Sequence, residues 1–232
     1  MRKRELGSSE LISKCCIHVY DMSNVDMAEL IPESLAHVSI FEKTVNERDV
    51  LLRFRYQNGR EDMLRVRRYI PATLFGYVLG LYAGDGTKRP SYVKTRFEFV
   101  NSDPRKIIAV INLLEMLGVS RKEIRPRLQI RLGLHEPISK VRDLERKWSI
   151  LLKIPISQFR KPSVRWGIVG SRSKLGTLSI RIYKAVLVDL FAFWENSILS
   201  SLLISPPPQG QGSPGNASSA GSKPVLRPTL TG

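Results

Sequence analysis

The stretch Leu74–Thr87, LFGYVLGLYAGDGT, places glycine at positions 76, 80, 84 and 86 of an otherwise apolar run that ends on one aspartate. Pro71 and the apolar run after it predict a helix from Ala72 to Gly84. Glycine costs a helix interior about 1 kcal/mol relative to alanine. Three glycines four residues apart therefore need a structural reason.

Residues four apart lie on one stripe of a helix, and this stripe carries almost no side chains. A second helix could approach such a stripe backbone to backbone. We expect this contact in a dimer interface formed by Gly76, Gly80, Ala83 and Gly84. Packing of the helix against its own sheet is the alternative use of small residues.

Asp85 follows the stripe, and Gly86 permits a tight turn after it. Two copies of the helix that met along their glycines would bring two Asp85 carboxylates together. Their repulsion would be severe unless cations intervened. Oxygen ligands suit Mg²⁺ (or Mn²⁺), and a metal pair can stabilise the attacking and leaving oxygens of phosphodiester hydrolysis.

The basic charge of the chain is concentrated in its middle. The formal net charge is +16 in 232 residues; residues 71–204 contain 23 Lys and Arg against 10 Asp and Glu, and residues 1–70 contain 12 against 11. An excess of this kind favours a polyanionic partner. No signal peptide or membrane span is evident, so we expect a cytoplasmic, nucleoid-associated protein that needs no membrane.

The pattern divides the chain into three parts. Residues 1–70 predict a small strand-rich N-terminal extension with a hairpin at Asn58-Gly59. Residues 71–204 predict an α+β domain in which helices cover one side of a four-stranded sheet. Residues 205–232, rich in Pro, Gly and Ser, predict a disordered tail.

The expected strands at 93–100, 125–132, 163–169 and 177–183 alternate between apolar and polar residues, which predicts one core face and one open face. Val164 and Trp166 fall on the core face of the third strand. The open face would be rich in donors able to contact phosphates and base edges of duplex DNA. Its expected DNA-binding residues are Lys94, Arg96, Arg125, Arg127, Gln129, Arg131, Arg165, Ser179 and Arg181.

The run Val78–Gly86, VLGLYAGDG, resembles the LAGLIDADG motif of homing endonucleases, and residues 71–204 resemble that family's αββαββα unit with an inserted helix near 137–162. The resemblance implies a four-stranded antiparallel saddle sheet on DNA. It also implies metal binding at Gly84 and Asp85, and a catalytic basic residue, for which Lys184 and Lys174 are candidates. Ala83 replaces the first aspartate of the motif.

A single motif implies a homodimer, and a two-fold dimer implies a near-palindromic DNA site. The expected function is therefore metal-dependent, site-specific cleavage of double-stranded DNA. A non-catalytic DNA-binding regulator or an RNA-splicing cofactor (maturase) with the same fold is the alternative, and the intact Asp85 favours the nuclease. A structural RNA-binding protein is a third possibility, for which exposed aromatic residues are few.

Overall fold

The computed structural model describes residues 23–86, 96–167 and 175–204, with side chains as far as residue 197. The chain has an α+β fold. Its first elements are β1 (Asn24–Asp26), α1 (Met27–Leu30), β2 (Val38–Val45), β3 (Asp49–Tyr56), β4 (Glu61–Arg67) and β5 (Tyr69–Pro71). The remaining elements are α2 (Ala72–Asp85), β6 (Phe97–Asn101), α3 (Pro104–Met116), β7 (Arg125–Leu132), α4 (Ser139–Leu152), β8 (Ser163–Trp166), β9 (Thr177–Ile182) and α5 (Ala185–Ile204).

The N-terminal strands form two small antiparallel sheets, one with the order β2-β3-β4 and one that pairs β1 with β5. The predicted hairpin is present, because Gly59 takes up the left-handed backbone (φ 81°) between β3 and β4. Alternation along β3 and β4 buries Leu52, Phe54 and Leu64. The arginines of the outer face are partly neutralised, since Arg53 pairs with Glu42 at 3.0 Å.

These sheets share a hydrophobic core with the rest of the described chain. Val50 and Leu64 belong to the same buried cluster as Phe97 and Leu190. A polar contact also joins the N-terminal part to the rest of the chain, because the backbone N–H of His37 donates to Asp189 on α5 at 2.7 Å. The packing is therefore continuous across residue 70, where the sequence suggested a division.

The main sheet has the strand order β6-β9-β7-β8. β9 is antiparallel to both β6 and β7, whereas β8 is parallel to β7. The expectation of a wholly antiparallel sheet is therefore wrong for this one pair. The reason is the segment that contains α4, because parallel neighbours require a long crossover connection and this segment provides it.

The helices begin and end where local chemistry requires. Asp103 caps α3 by accepting from the backbone N–H of Arg105 at 2.9 Å, and Pro104 occupies the first turn. After α3 the chain turns at Gly118, whose φ is 83°. None of the helices that the structure describes is long and apolar enough to cross a membrane.

Gly118 is the position at which α3 meets the N-terminal sheet. A Cβ there would lie 2.3 Å from the carbonyl oxygen of Arg65, while a Cβ at Gly59 would meet no heavy atom within 4 Å. Both residues have positive φ, so both alanine variants carry the left-handed penalty, of about 1 kcal/mol. Gly118→Ala must in addition displace the backbone of β4.

We expect Gly59→Ala to lower the free energy of unfolding by about 1 kcal/mol and Gly118→Ala by at least about 3 kcal/mol. Urea denaturation of both variants measures the difference. Equal losses would show that α3 does not press on β4 at this point.

Candidate nucleic-acid interface and metal-binding aspartate

Helix α2 has one buried face and one bare face. Phe75, Val78, Leu79 and Tyr82 are buried in the core. On the other side, a Cβ built at positions 76, 80 or 84 meets no heavy atom within 4 Å in the described protomer. The glycines are therefore not needed for packing on the protein's own sheet, which removes that alternative explanation of the stripe.

The end of α2 is fixed by an aromatic contact. The ring of Tyr82 stacks on Phe97 with centroids 4.9 Å apart and planes inclined by 14°. Gly86 passes so close that a Cβ would lie 2.3 Å from the Tyr82 carbonyl oxygen and 2.6 Å from its ring. Gly86 then bridges to Phe99 on β6. The second glycine of the Gly84-Asp85-Gly86 run is thus required within the protomer, unlike the first.

Asp85 is exposed at the end of α2, and one of its carboxylate oxygens accepts a hydrogen bond from the Asn101 side-chain amide at 2.7 Å. The amide oxygen of Asn101 accepts in turn from the backbone N–H of Asp103 at 2.9 Å. Asn101 therefore holds the carboxylate in one orientation. Sequence reasoning missed Asn101, because in the sequence it belongs to the NSDP signal for the start of α3.

The position of Asp85 suits a cation. The carboxyl end of a helix carries partial negative charge, and its last carbonyl groups have no partner inside the helix. The last turn of α2 contains no basic residue and ends on Asp85. The Gly84 carbonyl and the Asp85 carboxylate are thus oxygen donors of the kind that Mg²⁺ or Mn²⁺ prefers.

The described part of one protomer does not contain a complete metal-binding cluster. No three His, Cys, Asp or Glu side chains come together among the residues that the structure describes. The remaining ligands of a metal at Asp85 would therefore be water, phosphate oxygen or groups of another protomer.

Lys184 does not lie beside Asp85. The partner of Asp85, Asn101, pairs with Leu178 near the start of β9, and Lys184 lies beyond the other end of that strand. Six residues at about 3.3 Å each place Lys184 roughly 20 Å away. Its ammonium group is 3.0 Å from a carboxylate oxygen of Glu123, and its side chain is only 12% exposed.

Contrary to the expectation that Lys184 and Asp85 serve one site, Lys184 therefore lies far from Asp85 within this protomer. The sequence placed Lys184 correctly at the end of a strand but could not show which end of the sheet adjoins Asp85. Lys174, the other candidate, and Lys94 lie outside the described residues.

The open face of the main sheet forms cross-strand rows. Alternation along β7 buries Leu128 and Leu132 and turns the polar residues to the other side, as the sequence predicted. The rows on the open face are Glu98–Arg181–Arg125, Val100–Ser179–Arg127, Thr177–Gln129–Ser163 and Arg131–Arg165.

One end of this face is neutralised internally. Glu98, only 5% exposed, accepts from Ser179 at 2.8 Å and from Arg181 at 2.7 Å, and its second oxygen lies 3.4 Å from Arg96. Ser179 is fully buried, and the Arg181 side chain is 12% exposed. The expectation that Ser179 and Arg181 are free on the open face is therefore wrong.

The reason is that Glu98, in the same cross-strand row as Arg181, forms a buried ion pair with it, a contact that alternation along single strands does not reveal. β8 differs from the sequence prediction too. Trp166, expected on the core face, is 52% exposed, because β8 is the edge strand and ends there.

Burial alone would raise the pKa of Glu98. The hydrogen bonds from Ser179 and Arg181 and the charge of Arg96 outweigh burial, so the pKa lies below its ordinary value. Glu98 is therefore charged in the folded protein at neutral pH.

No family model, curated protein or solved structure matches this chain. The features of the chain that bear on its function are the α2 motif, Asp85 and the arginines of the open face.

Replacement of Glu98 by glutamine should leave Arg181 and Arg96 close together without a counter-charge. We expect Glu98→Gln to lower the free energy of unfolding at pH 7 by about 3 kcal/mol. Because the pKa of folded Glu98 is lowered, its stabilising charge is present above the ordinary pKa of 4.5 and is lost as pH falls through the folded value. The difference between wild type and variant should therefore shrink below about pH 4.5.

Urea denaturation at pH 7 and pH 4 measures both effects. Glu115→Gln is the control, since Glu115 pairs with Arg121 on the surface with 37% of its side chain exposed. The control should cost less than about 1 kcal/mol. A loss for Glu98→Gln that was as small as the control's would show that this ion pair does not stabilise the sheet.

Proposed function

We propose that this protein is a site-specific, double-strand DNA endonuclease of the LAGLIDADG homing type, which acts as a homodimer with Mg²⁺ or Mn²⁺ at Asp85. The observation that carries the proposal is the bare glycine face of α2, which points away from the protomer's own core and ends at an exposed carboxylate. The resemblance of Val78–Gly86 to the family motif supports the same function.

A second copy of α2 fits the bare face best. Gly76, Gly80 and Gly84 offer nothing to a partner except backbone, so a partner must come close to bury them. A copy of the same helix has the same lack of side chains and can match that closeness on a two-fold axis. The Ala83 methyl, half-buried beside the stripe, would lie at the same contact.

The dimer would bring two Asp85 carboxylates near the axis. Each carboxylate is already turned by its hydrogen bond from Asn101. When bound, the divalent metal supplies charge stabilisation for the attacking and leaving oxygens of a phosphodiester. Asp85 and the Gly84 carbonyl would hold it, and Asn101 would keep the carboxylate from rotating.

The open face supports binding of duplex DNA. Arg125, Arg127, Gln129 and Arg131 lie on β7, and Arg165 lies on β8. A β-surface of this kind can enter the major groove, where arginine and glutamine contact guanine and adenine edges. Two such faces related by a two-fold axis would recognise a near-palindromic site. The protein would then work on cellular DNA, in the cytoplasm or at the nucleoid.

A non-catalytic DNA-binding protein or RNA-splicing cofactor with the same fold is the second candidate. It is favoured by the position of Lys184, which pairs with Glu123 at the far end of β9. Among the described residues no Lys or Arg forms an ion pair with Asp85. The protomer thus offers, in its described part, the acid of the proposed centre without a basic partner.

Asp85→Asn should abolish Mg²⁺-dependent cleavage while leaving DNA binding intact, because the amide keeps the size of the side chain but loses the charge that holds the metal. Selection of cleaved sites from a randomised duplex library, run beside selection for binding, measures both activities. The matched control is Asp143→Asn on the exposed side of α4, which should cut like wild type.

A near-palindromic site that wild type and the control cut, and that Asp85→Asn does not cut, would support the endonuclease. Cutting by Asp85→Asn at the wild-type rate would refute the metal assignment. Enrichment of a site by binding without any cutting would favour the second candidate.

Gly80→Leu should convert the proposed dimer to a monomer without unfolding the protomer, because a Cβ at this exposed position meets no heavy atom within 4 Å inside the described protomer. Sedimentation velocity should show half the wild-type mass, with an unchanged circular dichroism spectrum. Lys147→Leu, on the exposed side of α4, is the control for an added surface leucine. A Gly80→Leu dimer would show that α2 is not the interface.

A further inference from the structure

The segment between β7 and β8 adds a strand to the sheet. β7 ends at Leu132, the chain forms α4, and β8 returns parallel to β7 at the outer edge of the sheet. Val141, Leu144, Trp148 and Leu152 bury one side of α4 in the core. Because α4 lies on the core side, the open face of β8 is left uncovered and continues that of β7.

The added strand places two arginines side by side. Arg131 of β7 is the register partner of Arg165 of β8, and both side chains are exposed. Neighbouring strands are about 4.8 Å apart, and like charges directly opposite each other destabilise a sheet. In the part of the chain that the structure describes, no acidic side chain forms an ion pair with either guanidinium.

The surrounding polar groups are already engaged. Arg127 donates to the Lys161 carbonyl at 3.1 Å, and Arg160 donates to the Tyr183 hydroxyl at 2.8 Å. Glu136, in the turn after β7, accepts from the Gly133 backbone at 3.0 Å and from Lys140. Arg131 and Arg165 therefore form a pair of exposed positive charges on rigid strands, with no neutralising partner among these neighbours.

The distance of this pair from Asp85 follows from the sheet. Asn101, which donates a hydrogen bond to Asp85, lies on β6, three strand spacings from β8. The cross-strand row of Asn101 continues through Leu178 on β9 to Leu128 on β7. Three residues of about 3.3 Å, with two strand spacings of about 4.8 Å for Arg131 and three for Arg165, place the pair roughly 16 Å from Asn101 on average. At about 3.4 Å per base pair, this corresponds to roughly five base pairs of DNA.

We propose that Arg131 and Arg165 together bind backbone phosphates of duplex DNA about five base pairs from the cleavage position, and that β8 exists to complete this anchor. The inference rests on the proposed function, because that function supplies both the duplex DNA and the cleavage position. Phosphate is the chemistry that fits, because two adjacent guanidinium groups need a shared anion and phosphate accepts bidentate contacts from arginine.

The test compares wild type with Arg131→Gln/Arg165→Gln in binding to a 30-base-pair duplex of mixed sequence at 50 to 200 mM salt. Each lost phosphate contact reduces the slope of log affinity against log salt by about 0.9, so the double variant should have a slope smaller by about two. Over this fourfold salt range, wild type should therefore lose about tenfold more affinity than the variant does.

The matched control is Arg142→Gln/Lys147→Gln, which removes the same charge from the exposed side of α4. It should keep the wild-type slope. Circular dichroism checks that both variants fold, as expected for exposed positions. An unchanged slope for the Arg131/Arg165 variant, with a wild type that binds, would overturn the anchor and leave the endonuclease proposal standing.

Two further outcomes separate the alternatives. If wild type binds no duplex, the proposed function fails and the anchor fails with it. If the double variant loses binding to single-stranded RNA of the same length but not to duplex DNA, the pair belongs to an RNA surface and the anchor is overturned. On a selected site, ethylation of the phosphates about five base pairs from the cut should interfere with binding by wild type only.

Discussion

The stack of Tyr82 on Phe97 determines where the candidate site can form. Phe191 of α5 lies 4.7 Å from the ring of Tyr82 and 4.9 Å from that of Phe97, so the three rings join α2, β6 and α5. Aromatic contacts of this kind stabilise the fold beyond the contribution of the apolar area that the rings bury. They fix the end of α2 against β6, which brings Asp85 within hydrogen-bonding distance of Asn101. The same packing commits one side of α2 to the core, while a Cβ at any of the three stripe glycines meets no heavy atom within 4 Å in the described protomer.

Local patterns in the sequence were sufficient for most of the elements. The helix predicted at 72–84 is one residue longer in the structure, Ala72–Asp85, and β7 has the predicted bounds, Arg125–Leu132. The predictions that were wrong concerned contacts between elements that are distant in the sequence. The direction of β8 depends on the path of α4, the burial of Ser179 depends on its neighbour Glu98, and the distance of Lys184 from Asp85 depends on strand order. Asn101 carried no signal of its own, because its role comes from a contact sixteen residues away in the chain.

The open face divides into two electrostatic regions. Near β6, Glu98 neutralises Arg181 and Arg96, so that region is held together by buried charge. Near β8, Arg131 and Arg165 have no acid in the same rows. Positive charge without a counter-charge is destabilising in the free protein and becomes favourable only when a polyanion is bound. The free arginines of this face are therefore those farthest from β6 across the sheet, toward the edge strand β8.

The glycines of α2 and the glycine that follows it differ in whether the fold of one protomer requires them. Gly86 is required by the close approach of its own backbone to Tyr82, whereas a Cβ at Gly80 would meet no heavy atom within 4 Å in the described protomer. A helix that keeps Gly80 gives up about 1 kcal/mol of helix propensity, and no close contact within the described residues explains that loss. The proposed dimer would offset this loss through contact with a second copy of α2. Because the stripe ends at Asp85, a second copy of the chain in the proposed dimer would place its own Asp85 carboxylate beside the first.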